Sequence, residues 1–359
     1  MTMSMSMSGI SATISVGVML RLCVLLLVLA PSRSFGDFAF KLPTFPGKND
    51  AGGGGTVLQP GDTIAVVGAS GNVGKLVALR LSDTYRVNGI VRDAAAIAPF
   101  FAGRDDRITL YEANLLDETG GAGDDAAWRC PASLREPLRS ANAVVICTGT
   151  TAFPTKAWTK SGEGDVARDV VQALLDSSFS IEGALAALDA QGLNTPNNVD
   201  ARANELITRA WNEACAVAQK RIILLSSIGV RRRDTMPFPI LNACGVLSAK
   251  AAGEAAIEEA AREQGYSYTI VRPGQLFGGP YDNNYYLGTL FQLDKDAATR
   301  DVAVGRGDEL LGDTLRSTLA EVTAQICEGD CARDMDFAVV NEEGESPSVE
   351  TVRERLEAL

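Results

Sequence analysis

An α/β fold built on a doubly wound parallel sheet is predicted by three features of the sequence. Short apolar runs rich in β-branched residues recur at Thr63–Val67, Arg86–Val91, Ile108–Glu112, Ala143–Cys147, Arg221–Ser227 and Tyr268–Arg272. Runs this short and this apolar are strands buried on both faces. Between them lie stretches with apolar residues at helical spacing, such as Leu206, Ile207, Ala210, Ala214 and Val217, the pattern of crossover helices. The first strand-to-helix junction reads GASGNVG, with Gly68, Gly71 and Gly74 three apart, where a tight turn and close backbone approach need residues without a β-carbon.

The opening unit, Thr63 to Val91, carries the clearest chemistry. After the first strand, Val73, Leu76, Val77 and Leu81 repeat at helical spacing while Lys75 and Arg80 face away. A helix that starts at a glycine turn offers unpaired backbone N–H groups and a positive dipole end, which together hold a phosphate. Gly68, Ser70, Gly71, Asn72, Val73 and Gly74 are the candidate contacts, and a strand, glycine turn, helix and second strand in this order point to a dinucleotide. A basic residue at the end of the second strand suits the extra phosphate of NADP, an acidic one the ribose of NAD. Arg92 stands there, so NADP(H) is expected over NAD(H); the competing reading pairs Arg92 with Asp93 in solvent.

The composition bounds the rest. A chain of 359 residues, 46% hydrophobic, can bury one large core. The formal net charge of -12 excludes a sequence-independent grip on nucleic acid, and Arg231-Arg232-Arg233 reads as a solvated loop. With no histidine in the chain, Ser-His-Asp and Cys-His catalysis are excluded, and no metal site is expected. The cysteines form no C-x-x-C pair and read as buried thiols, with Cys327 and Cys331 close enough in sequence for a disulfide as the alternative.

Residues 1–34 read as a signal-peptide-like segment, because Leu22–Ala30 behind Arg21 is too short to span a membrane. Residues 35–61 read as a transit segment and linker, with Gly52–Gly55 consecutive. Residues 62–345 form the main domain, with an inserted helical segment at about 160–192, and a C-terminal helix occupies 346–359.

The G-x-x-G-x-x-G spacing resembles the short-chain dehydrogenase/reductase superfamily, in its extended and atypical members, which have the Rossmann fold. That resemblance implies an adenine pocket at Asn114 and Leu115, and nicotinamide contacts at Lys250, Arg272 and Pro273; Thr148 and Gly149, at the carboxyl end of the fourth strand, stand where open α/β sheets bind a cofactor. It also implies a Tyr and a Lys four apart on the helix after the fifth strand, with a Ser from the strand itself. Ser226, Ser227 and Lys250 are in place, Lys250 opening a helix over Ser248–Gln264; Val246 stands where the tyrosine should be. A cation in the first turn would oppose the helix dipole, and Lys before Glu254 is the weaker pairing order, so a cofactor contact explains Lys250 better. The loop Tyr281–Tyr286 reads either as a lid carrying another proton donor or as a cap on the sheet end.

VVGASGNVG, CTGTTAFP, NNVD, ILLSSIGV, GVLSAK, YTIVRPG and VGRGDELLG together resemble a plastid group of atypical short-chain dehydrogenase/reductase proteins in plants and algae. The resemblance implies an NADP(H)-binding protein that reduces a small carbonyl or enone substrate. The alternative it leaves open is a noncatalytic NADP(H)-responsive scaffold or assembly factor for a photosynthetic membrane complex. Phe35 after the signal-like segment resembles the two-part plastid address of algae with secondary plastids; plain secretion is the alternative.

Overall fold

A computed structural model describes residues 57–118, 128–162, 164–278 and 299–359. The signal-like segment, most of the linker and the Tyr281–Tyr286 loop lie outside the described residues. The strands in chain order are β1 (Thr63–Val67), β2 (Arg86–Val91), β3 (Ile108–Glu112), β4 (Ala143–Ile146), β5 (Arg221–Leu225), β6 (Ser267–Pro273), β7 (Gln275–Phe277), β8 (Asp301–Arg306), β9 (Asp313–Leu315) and β10 (Met335–Glu342). Eight of them form one sheet in the order β3-β2-β1-β4-β5-β6-β10-β8, while β7 and β9 form a separate parallel pair. Every pairing in the large sheet is parallel except β8 with β10. The order reverses between β1 and β4, the switch point at which open α/β sheets bind ligands beyond their carboxyl ends.

Alternation along the strands makes two cores. Ile64, Val66, Val145, Ile223 and Val271 point to one face, and Ala65, Val67, Val144, Ile222 and Ile270 to the other. Among the described residues, the helices of eight or more residues are α1 (Gly74–Leu81), α2 (Ala132–Arg139), α3 (Ala167–Asp176), α4 (Ile181–Ala190), α5 (Ala203–Ala214), α6 (Val246–Gln264), α7 (Arg316–Gly329) and α8 (Val349–Glu357). Val77 and Leu81 of α1, Leu319 and Ile326 of α7, and Val352 and Leu356 of α8 cover the first face. Leu134 and Leu138 of α2, Ile207 and Trp211 of α5, and Ile257 of α6 cover the second. The C-terminal helix is thus part of the core, and Leu58, also buried, carries the packed chain back ahead of Asp62.

The inserted segment forms α3 and α4, which bury Val170, Ala173, Ala184 and Leu188 around Trp158 and reach Cys244 just before α6. It also ties down the loop after β4. The Trp158 indole donates to the Thr151 carbonyl at 3.0 Å, and the Thr150 hydroxyl donates to the Asn194 carbonyl at 2.9 Å.

Two expectations are corrected by packing and one is borne out. Helix α6 begins at Val246 rather than Ser248, because Gly245 takes a left-handed φ of 79° and the Asn242 side chain accepts from the Leu247 and Ser248 amides. Cys327 and Cys331 are free buried thiols rather than a disulfide. The three arginines do not form a merely solvated loop: Arg231 pairs with Asp336 at 2.6 Å, Arg232 with Asp308 at 3.3 Å, and Arg233 donates to the Val230 carbonyl. No single described helix is long and apolar enough to cross a membrane.

Candidate functional site

The turn from β1 into α1 is a bare backbone cradle. Gly68 has a φ of 79°, and a β-carbon at Gly74 would lie 2.1 Å from the Gly68 carbonyl oxygen. The Gly71 amide donates to that same carbonyl at 2.9 Å, which coils the turn tightly. No side chain caps the first turn of α1 and no acidic residue sits in it, so its positive end is left for an external anion. Ser70 and Gly71 are exposed at the rim and Asn72 is half-buried. Val73 is buried in the core, so only its backbone can face a ligand.

Across the switch point, the loop after β4 meets this turn. The methyl carbon of Thr148 lies 3.0 Å from where a Gly68 β-carbon would be, and a Gly149 β-carbon would meet Asp200 Oδ1 and Lys250 Nζ, each at 3.5 Å. Lys250 donates to Asp200 Oδ1 at 2.7 Å, with side chains 12% and 1% exposed. The structure therefore brings Gly68, Thr148, Gly149 and Lys250 into one line and adds Asp200 to it. The Thr148 hydroxyl is buried without a hydrogen-bond partner, a polar group that a ligand in the crevice would satisfy.

The other expected residues divide. The Arg92 guanidinium, at the end of β2, donates to the Lys160 carbonyl at 3.0 Å, and the competing Asp93 pairing is not formed, Asp93 accepting from the Ala96 amide at 2.9 Å as a helix cap. Asn114 donates to Asp117 at 2.8 Å, and Leu115 packs against the second core.

Arg272 is drawn elsewhere. It is 1% exposed, donates to Glu254 at 3.0 and 2.6 Å and also bonds Asp336. Its neighbour Pro273 is buried, and its carbonyl accepts from the Ile228 amide at 2.9 Å. Ser226 belongs to the same cluster, its hydroxyl donating to Glu254 at 2.5 Å. Every Arg272 guanidinium nitrogen and the Ser226 hydroxyl is engaged within this cluster, as expected of a buried arginine matched by carboxylates. Ser227 is half-buried, and its hydroxyl donates to the Ile228 carbonyl at 3.0 Å.

One further expectation changes with α6, and one pairing already disfavoured is not formed. Because the helix starts at Val246, Lys250 lies beyond its first turn, and the dipole no longer bears on it. Glu254 pairs with Arg272, not with Lys250, which turns to Asp200 instead. Val246 is buried with Val230, Phe238 and Leu247, so the position expected for a tyrosine hydroxyl is apolar. Asp200 was legible only as part of NNVD; an isolated acid in a stretch that must pack against a core is its one sequence signal. It sits on a π-helical turn, Asn197–Arg202, a geometry frequent at functional sites.

The NAD(P)H-binding family matches residues 68–328. A Bacillus halodurans structure described as an NAD-dependent epimerase/dehydratase is similar over 83% of this chain and all of its own, with 19% identity and a TM-score of 0.52. An oxidoreductase of Lactococcus lactis, 16% identical, covers 83% of this chain and 96% of its own at a TM-score of 0.49. A short-chain dehydrogenase/reductase of Veillonella parvula in complex with NADP, 14% identical, covers 80% and 99% at 0.45. No curated protein matches. With the family match spanning well over half of the sequence and the glycine turn at its start, the chain belongs to the NAD(P)H-binding family.

Proposed function

We propose that the protein is an NADP(H)-dependent oxidoreductase of the atypical short-chain dehydrogenase/reductase type, reducing a small carbonyl or enone compound. The observation that carries this is the line Gly68, Thr148, Gly149 and Lys250 along the switch point of the sheet. A bound NADPH supplies a hydride. The backbone amides of Ser70 and of Asn72 to Gly74 hold its pyrophosphate, and Arg92 exchanges the Lys160 carbonyl for the 2′-phosphate. Asn114 and Leu115 border the adenine, while Thr148, Gly149 and Lys250 face the nicotinamide ribose. Ser227 polarises the acceptor oxygen, since its present bond to a neighbouring carbonyl is local and replaceable.

The plastid group is part of this reading and is supported by the motif series from VVGASGNVG to VGRGDELLG and by the two-part leader. Residues 1–61 fused to a fluorescent protein in an alga with a secondary plastid are expected to deliver it there; secretion of the fusion contradicts the address.

A noncatalytic NADP(H)-responsive scaffold is the second reading, favoured by one observation, the apolar packing of Val246 where a tyrosine hydroxyl would stand. NADPH consumption across a panel of quinones, enals and ketones separates the two. Turnover that Lys250→Ala abolishes supports the enzyme; nucleotide binding with no turnover on the whole panel supports the scaffold.

A further inference from the structure

Asp200 is held against Lys250 by a close approach of two elements. Its π-helical turn lies on α6 at Gly253, where a β-carbon would come within 2.3 Å of the Asp200 carbonyl oxygen, so the contact exists only because residue 253 is glycine. Asp200 Oδ1 takes the Lys250 ammonium at 2.7 Å. Asp200 Oδ2 and Asn204 Oδ1, one helical turn apart, are both buried acceptors with no donor. The Asn204 amide nitrogen is already committed to the Asp200 carbonyl at 2.8 Å. Leaving two buried acceptors bare is costly, and a proton on Oδ2 gives that turn the donor it lacks.

We propose that Asp200 and Lys250 together hold the proton that reduction consumes: Lys250 gives it to the substrate oxygen in place of a tyrosine, and Asp200 replaces it. This rests on the oxidoreductase reading above and names its acid. The step balances on the chain's own atoms. An N–H bond of Lys250 breaks as the product O–H forms; the Asp200 O–H then breaks as the ammonium is remade. The carbon takes the hydride that the dinucleotide supplies, and the pair ends as carboxylate and ammonium, reloaded from solvent. Lys250 is then a catalytic residue and Asp200 a positioning residue.

Burial pushes the Asp200 carboxyl above the ordinary carboxylate range, against the Lys250 charge and the Thr150 amide, which favour ionisation. Lys250, from α6, is the charged group that faces it; the loop after β4 presents the Thr150 amide, and its own helix the neutral Asn204. A neutral reduced nicotinamide tolerates the extra proton on the pair, whereas the cationic oxidised ring opposes it.

Isothermal titration of the full chain with NADPH and with NADP⁺, in phosphate and in Tris between about pH 5 and 8, reads the protons bound with each nucleotide. NADPH is expected to bind with up to about one proton more than NADP⁺. Asp200→Asn removes that difference while 2′,5′-ADP, a probe of the adenosine end alone, binds as before. Lys250→Met also removes it, because Asp200 then stays protonated with either nucleotide, and it serves where Asp200→Asn fails to fold. Equal proton counts in the wild type, or a difference that survives Asp200→Asn, overturn the proposal while leaving the cofactor reading intact. Failure of 2′,5′-ADP and both nucleotides to bind overturns the cofactor reading itself, and the acid pair with it.

Discussion

A single β-carbon distinguishes the glycines that shape the site from those that border it. At Gly74 it would fall 2.1 Å from the Gly68 carbonyl oxygen, closer than any real contact, whereas at Gly149 its nearest neighbours are 3.5 Å away. Gly74→Ala is therefore expected to cost about 2–3 kcal/mol of stability, as overpacking of a rigid backbone does, and Gly149→Ala no more than about 0.5 kcal/mol. Urea unfolding of the two variants checks the contrast, and equal costs would mean that the α1 turn yields. Arg92 makes one hydrogen bond to a backbone carbonyl, and a phosphate offers it a stronger, charge-assisted one. Arg92→Ala is expected to weaken NADPH about 10- to 100-fold and leave NADH nearly unchanged; equal losses in fluorescence titrations would remove Arg92 from phosphate recognition. At this scale the sequence was readable where chemistry is local, as in the glycine spacing and in Arg92 at a strand end. It was silent where a side chain chooses between distant partners, as Glu254 does in taking Arg272 and Lys250 in taking Asp200.

Among the elements, α1 is fastened to α7 by one arginine. Arg80 reaches Glu321 at 2.7 Å and Glu328 at 2.8 Å, and Thr84 adds a bond to Glu328 at 2.9 Å. Burial alone would raise the Glu328 carboxyl, but the hydrogen bonds from Arg80 and Thr84 and the Arg80 charge outweigh it and hold it below its ordinary range. A carboxylate depressed on folding contributes stability that is fully present above its unfolded value, 4.5 for a glutamate, and is lost as pH falls through the folded value. Arg80→Met is expected to cost about 1–3 kcal/mol at neutral pH and to flatten the loss of stability below about pH 4.5. Thermal melts from neutral to acid pH measure both; an unchanged acid limb would mean that the clamp is not ionic. Helix positions follow from apolar spacing, but the start of α6 does not. It depends on the left-handed Gly245 and on Asn242 capping from outside the helix, and a shift of two residues decides which turn Lys250 occupies.

Across the whole molecule, a buried ionic cluster joins the sheet to the helix that carries Lys250. Arg272 on β6 binds Glu254 on α6 and Asp336 on β10, and Ser226 after β5 completes it. Arg272→Met would strand Glu254 in the core and is expected to destabilise the fold by about 3–5 kcal/mol, without changing NADPH affinity in the protein that remains folded. Denaturant unfolding alongside nucleotide titration separates the two effects; a selective loss of NADPH affinity with stability intact would return Arg272 to the cofactor site. The doubly wound parallel sheet was legible in alternating strands and helices, because buried strands joined by helices pair in parallel; the antiparallel edge strand β8 was not. The inserted α3 and α4 showed only helical patches in sequence, and their role in fixing the loop after β4 depends on Trp158 and Asn194, contacts that no local pattern encodes.

The account rests on one binding event, a phosphorylated dinucleotide held by the amides of the Gly68–Gly74 turn. Titration of the full chain with NADPH and NADH, followed by reduced-nicotinamide fluorescence, tests it most directly. Saturable NADPH binding at least about 10-fold tighter than NADH is expected; absence of binding by both nucleotides would contradict it.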